Sequence, residues 1–188
     1  MDQTSALGNS AKAEPLLRPA ALWAADCADS ALTVFEDEER TDYRLREAIA
    51  GAREFGQGGP RNKALRTLAW AAHTAANESE QPSAKFAARS AMLAAAVAYT
   101  HTDLNLGRQG VNQARHLLGA AVYAALACEL ASESPAGVAE RVLLAAADTM
   151  PEEVGILLKH FPPQPRGTTR LSQLFHDLDA RLRLKSAV

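Results

Sequence analysis

The chain has 188 residues, 20 basic and 22 acidic side chains for a net charge of −2, and 47% apolar residues. That length suits one domain, and a charge so near zero gives no electrostatic reason for nucleic acid or an anionic membrane to be the main partner. The 40 Ala and 24 Leu, against 8 Val, 2 Ile and 10 Thr, predict an all-α protein and exclude doubly wound nucleotide binders and α/β-hydrolases, which need a large sheet.

Residues 1–15 offer no periodic apolar face and no basic start followed by an apolar run. They are expected to form a disordered N-terminal tail that is not a signal peptide, ahead of a single helical domain over residues 16–188. Proline then marks helix starts at Pro19, Pro60, Pro82, Pro135 and Pro151, because a first-turn N–H has no intrahelical partner to lose. The first helix is expected from Pro19 to Phe35. Ala21, Ala28, Leu32 and Phe35 make one apolar face, and Trp23, Cys27, Ser30 and Val34 a second, so this helix lies between layers or at an interface. The acidic run Glu36 to Glu39 follows as a solvated loop that could attract a basic partner.

The second helix runs from Asp42 to Phe55 and is closed by Gly56. Asp42 and Arg46 are one turn apart and are expected to pair. Arg44 points to the other side, which suits a structural tie from this helix to the first and third. The loop Gly56 to Lys63 looks like a phosphate loop at a glance. It has no Gly before its Lys and no Ser or Thr after it, and a helix precedes it, so it reads as a turn.

The third helix is expected over Pro60–Ser79, the fourth over Pro82–Thr102 and the fifth over Arg108–Leu130. The fifth is apolar nearly all round and is the expected centre of a compact bundle of about seven helices, preferred over a solenoid because the chain shows no self-similarity. Its apolar stretches break before 18 residues, so no membrane span is expected. Residues 135–188 form the C-terminal helices. These are Pro135–Thr149, a short helix after Pro151, and Leu171–Lys185 with its seam Leu171, Leu174, Phe175, Leu178 and Leu182. Pro162-Pro163-Gln164-Pro165 is a stiff connector at 162–165.

Few residues suggest chemistry. His73, His101 and His116 fall on three consecutive helices, and no two are an i, i+3 or i, i+4 pair. No metal site and no cofactor are therefore expected. Cys27 and Cys128 lie within helices and form no spaced pair, the usage of a reduced cytoplasmic protein whose thiols serve as small hydrophobes. There is no G-x-S-x-G, and no catalytic residue is assigned. The basic groups Arg61, Lys63 and Arg66, and Arg181, Arg183 and Lys185, have no interleaved aromatics and read as solvated faces.

Several segments in order carry a resemblance. They are Trp23-Ala24-Ala25-Asp26-Cys27-Ala28, then Asp42-x-Arg44-x-Arg46-x-Ala48-Ile49, then Ala71-Ala72-His73. His101 and His116-x-x-Gly119-Ala120-Ala121-x-Tyr123-Ala124 follow. Over about residues 20–130 this resembles the immunity-five-like family of bacterial polymorphic-toxin systems, and the family-like core is taken as 19–130. Leu45 stands where the pattern has Pro, and Asn77 where it has Arg. The resemblance implies a non-enzymatic, cytoplasmic helical protein that binds and neutralises a cognate toxin, with no membrane partner. It also makes Asp26, Arg44, Arg46, His73, His101, Asp103 and His116 a candidate polar cluster between the first five helices. The alternative is a small enzyme or ligand-binding protein using His73, His101 and His116, which requires a concave pocket where those histidines meet.

Overall fold

The computed structural model describes residues 3–100 and 107–186, with side chains from Ala13 onward. The described residues form nine α-helices and no strand, as the Ala- and Leu-rich composition requires. They are α1 (Gln3–Asp29), α2 (Leu32–Glu36), α3 (Arg44–Gly56), α4 (Lys63–Glu78) and α5 (Pro82–Ala96), then α6 (Gly107–Ala131), α7 (Val138–Asp148), α8 (Glu152–Lys159) and α9 (Arg170–Lys185). A 3-10 turn at Val97–Tyr99 ends α5 earlier than the expected Thr102.

Local chemistry explains most boundaries. Pro82 occupies the first turn of α5. Asn62 caps α4, its side chain accepting from the Leu65 N–H at 3.2 Å, and Thr169 caps α9 by accepting from Ser172 N–H at 3.2 Å. Gly58, at φ +111°, makes the left-handed turn after α3 that an L side chain would resist. The loop from Gly56 to Lys63 is thus a turn, as its sequence suggests.

The N-terminus differs from expectation. The segment expected as a tail is helical from Gln3, and Pro15 and Pro19 lie inside α1 instead of opening it. Packing outweighs the proline penalty here. Ala13 and Leu17 extend the buried face upstream, and Glu14 pairs with Arg18 one turn on. Arg18 also donates to the carbonyls of Phe55 and, at 3.0 Å, Gly59, and its guanidinium lies 4.7 Å from the Phe55 ring centre. The expected first helix is further divided by a turn at Ser30 and Ala31, after which α2 begins.

α1 packs against α3, α5, α6 and α8, so both of its apolar faces are covered within the chain. α6 packs against α5, α1, α7 and α9, and Leu118 and Val122 are fully buried at its middle. It is the central helix its sequence indicates. Contrary to the sequence reading, it is long and apolar enough to cross a membrane by length and composition, but in this structure most of that apolar surface is packed inside the bundle. Gly119 lets α5 approach, since a Cβ there would lie 2.2 Å from Leu93 Cδ1, and Ser90 Oγ donates to the Ala120 carbonyl at 2.6 Å.

The connector at 162–165 is more than a spacer. Gln164 is buried, and it receives Arg115 Nε at 3.0 Å on its side-chain oxygen while donating from Nε2 to the Val111 carbonyl at 2.9 Å. His176 Nδ1 lies 2.9 Å from the Gln164 carbonyl. Every polar group of this residue thus ties the extended segment to α6 or α9, as a buried glutamine must.

Candidate functional site

Alanines on the facing sides of α4 and α5 let these helices pack closely, while larger side chains toward the α5 end hold a gap open. The result is a groove of about 580 Å³ between α4, α5, the 3-10 turn and α6. Ala69, Met92, Leu93 and Ala96 supply its apolar surface. Trp70, Tyr99 and Tyr123 supply rings, and Arg66, His73, Arg89 and His116 supply the basic groups.

Trp70 is 63% exposed and meets His73 edge to face at 5.4 Å. His73 Nε2 lies 3.2 Å from Asn77 Nδ2, so the residue standing where the family pattern has Arg holds this histidine by a hydrogen bond. Tyr99 donates from its hydroxyl to the Asn62 carbonyl. The Arg66 and Arg61 guanidinium carbons lie 4.7 and 5.1 Å from its ring centre, which favours the cations electrostatically. Tyr123 is braced by Phe86 at 5.8 Å and Phe175 at 5.9 Å. Arg89 differs from its neighbours: its Nε is buried and has no hydrogen-bond partner among the described residues. No carboxylate is among the described residues that line the groove.

The structure brings His73 and His116 to this groove; His101 and Asp103 lie outside the described residues. A concavity is therefore present beside two of the three histidines that the ligand-binding alternative names. Sequence reading missed Trp70, Arg89 and Tyr99, and the expectation that the basic group Arg61, Lys63 and Arg66 lacks aromatic company is corrected at Arg61 and Arg66, which Tyr99 reaches from another element. One signal was available: Arg66, Trp70, His73 and Asn77 form an i, i+4, i+7, i+11 stripe along α4.

The expected seven-residue polar cluster does not form as a unit, because Asp26, Arg44 and Arg46 each satisfy a nearer partner and none lines the groove. Asp26 and Asp29 share Arg53, at 3.0 and 3.1 Å. Arg46 pairs with Glu36 at 2.6 Å, and Arg44 with Asp42 at 2.5 Å and Glu78 at 2.6 Å. The expected Asp42–Arg46 pair is replaced for a local reason. Asp42 precedes the α3 cap Tyr43, and its carboxylate turns onto the Arg44 side chain and backbone N–H. Arg44 and Arg46 do address different elements, tying α3 to α4 and α2.

The Arg44 hydrogen bonds hold the Asp42 carboxyl below its ordinary 3.8 despite some opposing desolvation. A folded-state pKa below the unfolded one contributes stability that is fully present above the unfolded value and fades as pH falls through the folded value. Arg44→Ala is expected to return Asp42 to the ordinary carboxylate range and remove that acid-side dependence. Carboxyl NMR titration checks this, and an unchanged Asp42 midpoint would contradict it.

The thiols are poorly suited to nucleophilic chemistry. Burial, aided by the charge of Asp26, pushes the Cys27 thiol up to about 12, and burial also raises Cys128, whose Sγ lies 3.7 Å from the Ser30 carbonyl. Among the described residues, no group of three or more His, Cys, Asp or Glu is placed to hold a metal ion. A second cavity of about 620 Å³ lies between α7 and α9. Glu140, Asp177, Arg166 and Arg181 line it with both signs of charge, whereas the described lining of the first groove is apolar, aromatic and basic.

Residues 18–105 match the family model described as Imm-5 like putative immunity protein. The match takes in the Trp23 segment, the α3 arginines, His73 and all of α5, and it ends before α6, short of the 20–130 span of the resemblance. No curated protein and no solved structure shows significant similarity to the chain.

Proposed function

We propose, from the match of residues 18–105 to the Imm-5 like putative immunity protein family model, that this protein is a non-enzymatic, cytoplasmic immunity protein that binds and neutralises a cognate bacterial toxin. That match is the observation that carries this reading. The ion pairs that join α3 to α1, α2 and α4 suit it, because a pre-organised surface loses less conformational freedom on docking. The two cysteine thiols, held protonated, are consistent with a role in binding without covalent chemistry.

Co-expression with the toxin encoded beside its gene tests the proposal in cells. Growth is expected to be restored by the wild-type chain and by a variant altered only in the N-terminal residues before Ala13. Persistent arrest with both proteins folded and present would overturn it.

A second reading, ligand binding, is favoured by one observation: the groove gathers His73, His116 and three aromatic rings around an apolar concavity. Its volume lies within the range of about 300–1,000 Å³ usual for small-ligand sites.

A further inference from the structure

We propose that the groove between α4, α5 and α6 binds a small aromatic carboxylate, its ring against the Trp70 wall and its anionic group paired with Arg89. This rests on the ligand-binding reading and names the chemistry of the ligand. Three features select it. The lining is predominantly apolar and aromatic, with Trp70 at the entrance as a large exposed face that water solvates poorly. Among the described residues its ionisable groups are two arginines, two histidines and two tyrosines, with no described carboxylate among them. Finally, Arg89 lines the groove, and its buried Nε has no partner among the described residues.

Arg89 decides between ligand classes. A guanidinium always carries its charge, and Arg89, which lines the groove with no ion pair to a described carboxylate, favours a ligand that brings the opposite charge. A carboxylate fits the guanidinium fork with two parallel hydrogen bonds, and such charge-assisted pairs are the strong ones. A cationic ligand would meet Arg66 and Arg89 with like charge. A neutral ring would fill the apolar space and leave Arg89 as it is. Arg66, exposed and drawn to the Tyr99 ring, belongs to the rim.

Titration calorimetry on the full chain tests this with 2-naphthoate, its neutral analogue 2-naphthalenemethanol, and the cation 2-naphthylmethylammonium. Naphthoate is expected to bind saturably at one site. The neutral analogue should bind at least about tenfold more weakly, the order expected for losing one charge-assisted hydrogen-bonded pair. Arg89→Gln should bring naphthoate down to the level of the alcohol, and Trp70→Ala should weaken both. The anion-to-neutral ratio is read on the wild-type chain, so the test survives an Arg89 variant that does not fold. Equal binding of the acid and the alcohol, or naphthoate affinity unchanged in a folded Arg89→Gln variant, would overturn the carboxylate assignment while leaving the groove a ligand site. Saturation by none of the three probes would overturn the ligand-binding reading as well.

Discussion

Trp23→Ala is expected to lower the stability of the chain by about 3–5 kcal/mol, the usual loss on truncating a large buried aromatic. Trp23 is only 3% exposed, on the second apolar side of α1. It also crosses the core to another element, its Nε1 donating to the Ala146 carbonyl at 2.8 Å, near the C-terminal end of α7. Truncation thus removes the packing and a side-chain hydrogen bond from α1 to α7. For a chain of this size the melting temperature should fall by about 2–4 °C per kcal/mol. Trp23→Phe keeps most of the ring volume and should lose substantially less. Thermal unfolding of the two variants checks this, and a Trp23→Ala variant with the wild-type melting temperature would make Trp23 an interface anchor instead of a core residue.

The second large effect is expected at Asp179. It is 2% exposed on α9, and its Oδ2 accepts from the Gln164 N–H at 2.9 Å and from Arg183 Nε at 2.9 Å. Arg183 in turn donates to the Phe161 carbonyl at 3.0 Å, so one carboxylate anchors both the connector and the end of α8. Asp179→Ala leaves a buried N–H and a half-buried guanidinium without their acceptor. Breaking such a pair costs about 3 kcal/mol or more. Asp179→Asn keeps one acceptor oxygen and should cost less. Denaturant unfolding measures both, and a loss below about 0.5 kcal/mol for Asp179→Ala, the range of ordinary surface substitutions, would contradict the anchoring role.

The sequence foretells the helices from α3 onward because their signals are local. Pro82 and Gly56 mark ends by their own backbone chemistry, and the all-round apolar pattern of α6 leaves it nowhere but the centre, whereas Pro60 and Pro135 each stand three residues before α4 and α7 instead of opening them. The beginning of α1 is different. Pro15 and Pro19 are the same kind of signal, yet there they lie inside a helix that is held by Arg18 reaching the α3 end and by the burial of Ala13 and Leu17. Those contacts are long-range and leave no local pattern.

The candidate site divides in the same way. His73 and His116 are legible as histidines on neighbouring helices, but the groove also needs Arg89 from α5 and Tyr99 from the 3-10 turn, which only packing brings together. Asp26, Arg44 and Arg46 belong to the segments that carry the family resemblance, and they prove to be fastenings between helices. A motif read from one chain does not separate a fastening from a site, because both need charged groups at fixed spacing.

Direct titration of the purified chain with its purified cognate toxin tests the immunity function most closely. A saturable one-to-one complex, with toxin activity lost as the two proteins reach equal concentration, is the result that an immunity function predicts. Absence of binding between two folded proteins, with toxin activity intact at molar excess of this chain, would contradict it.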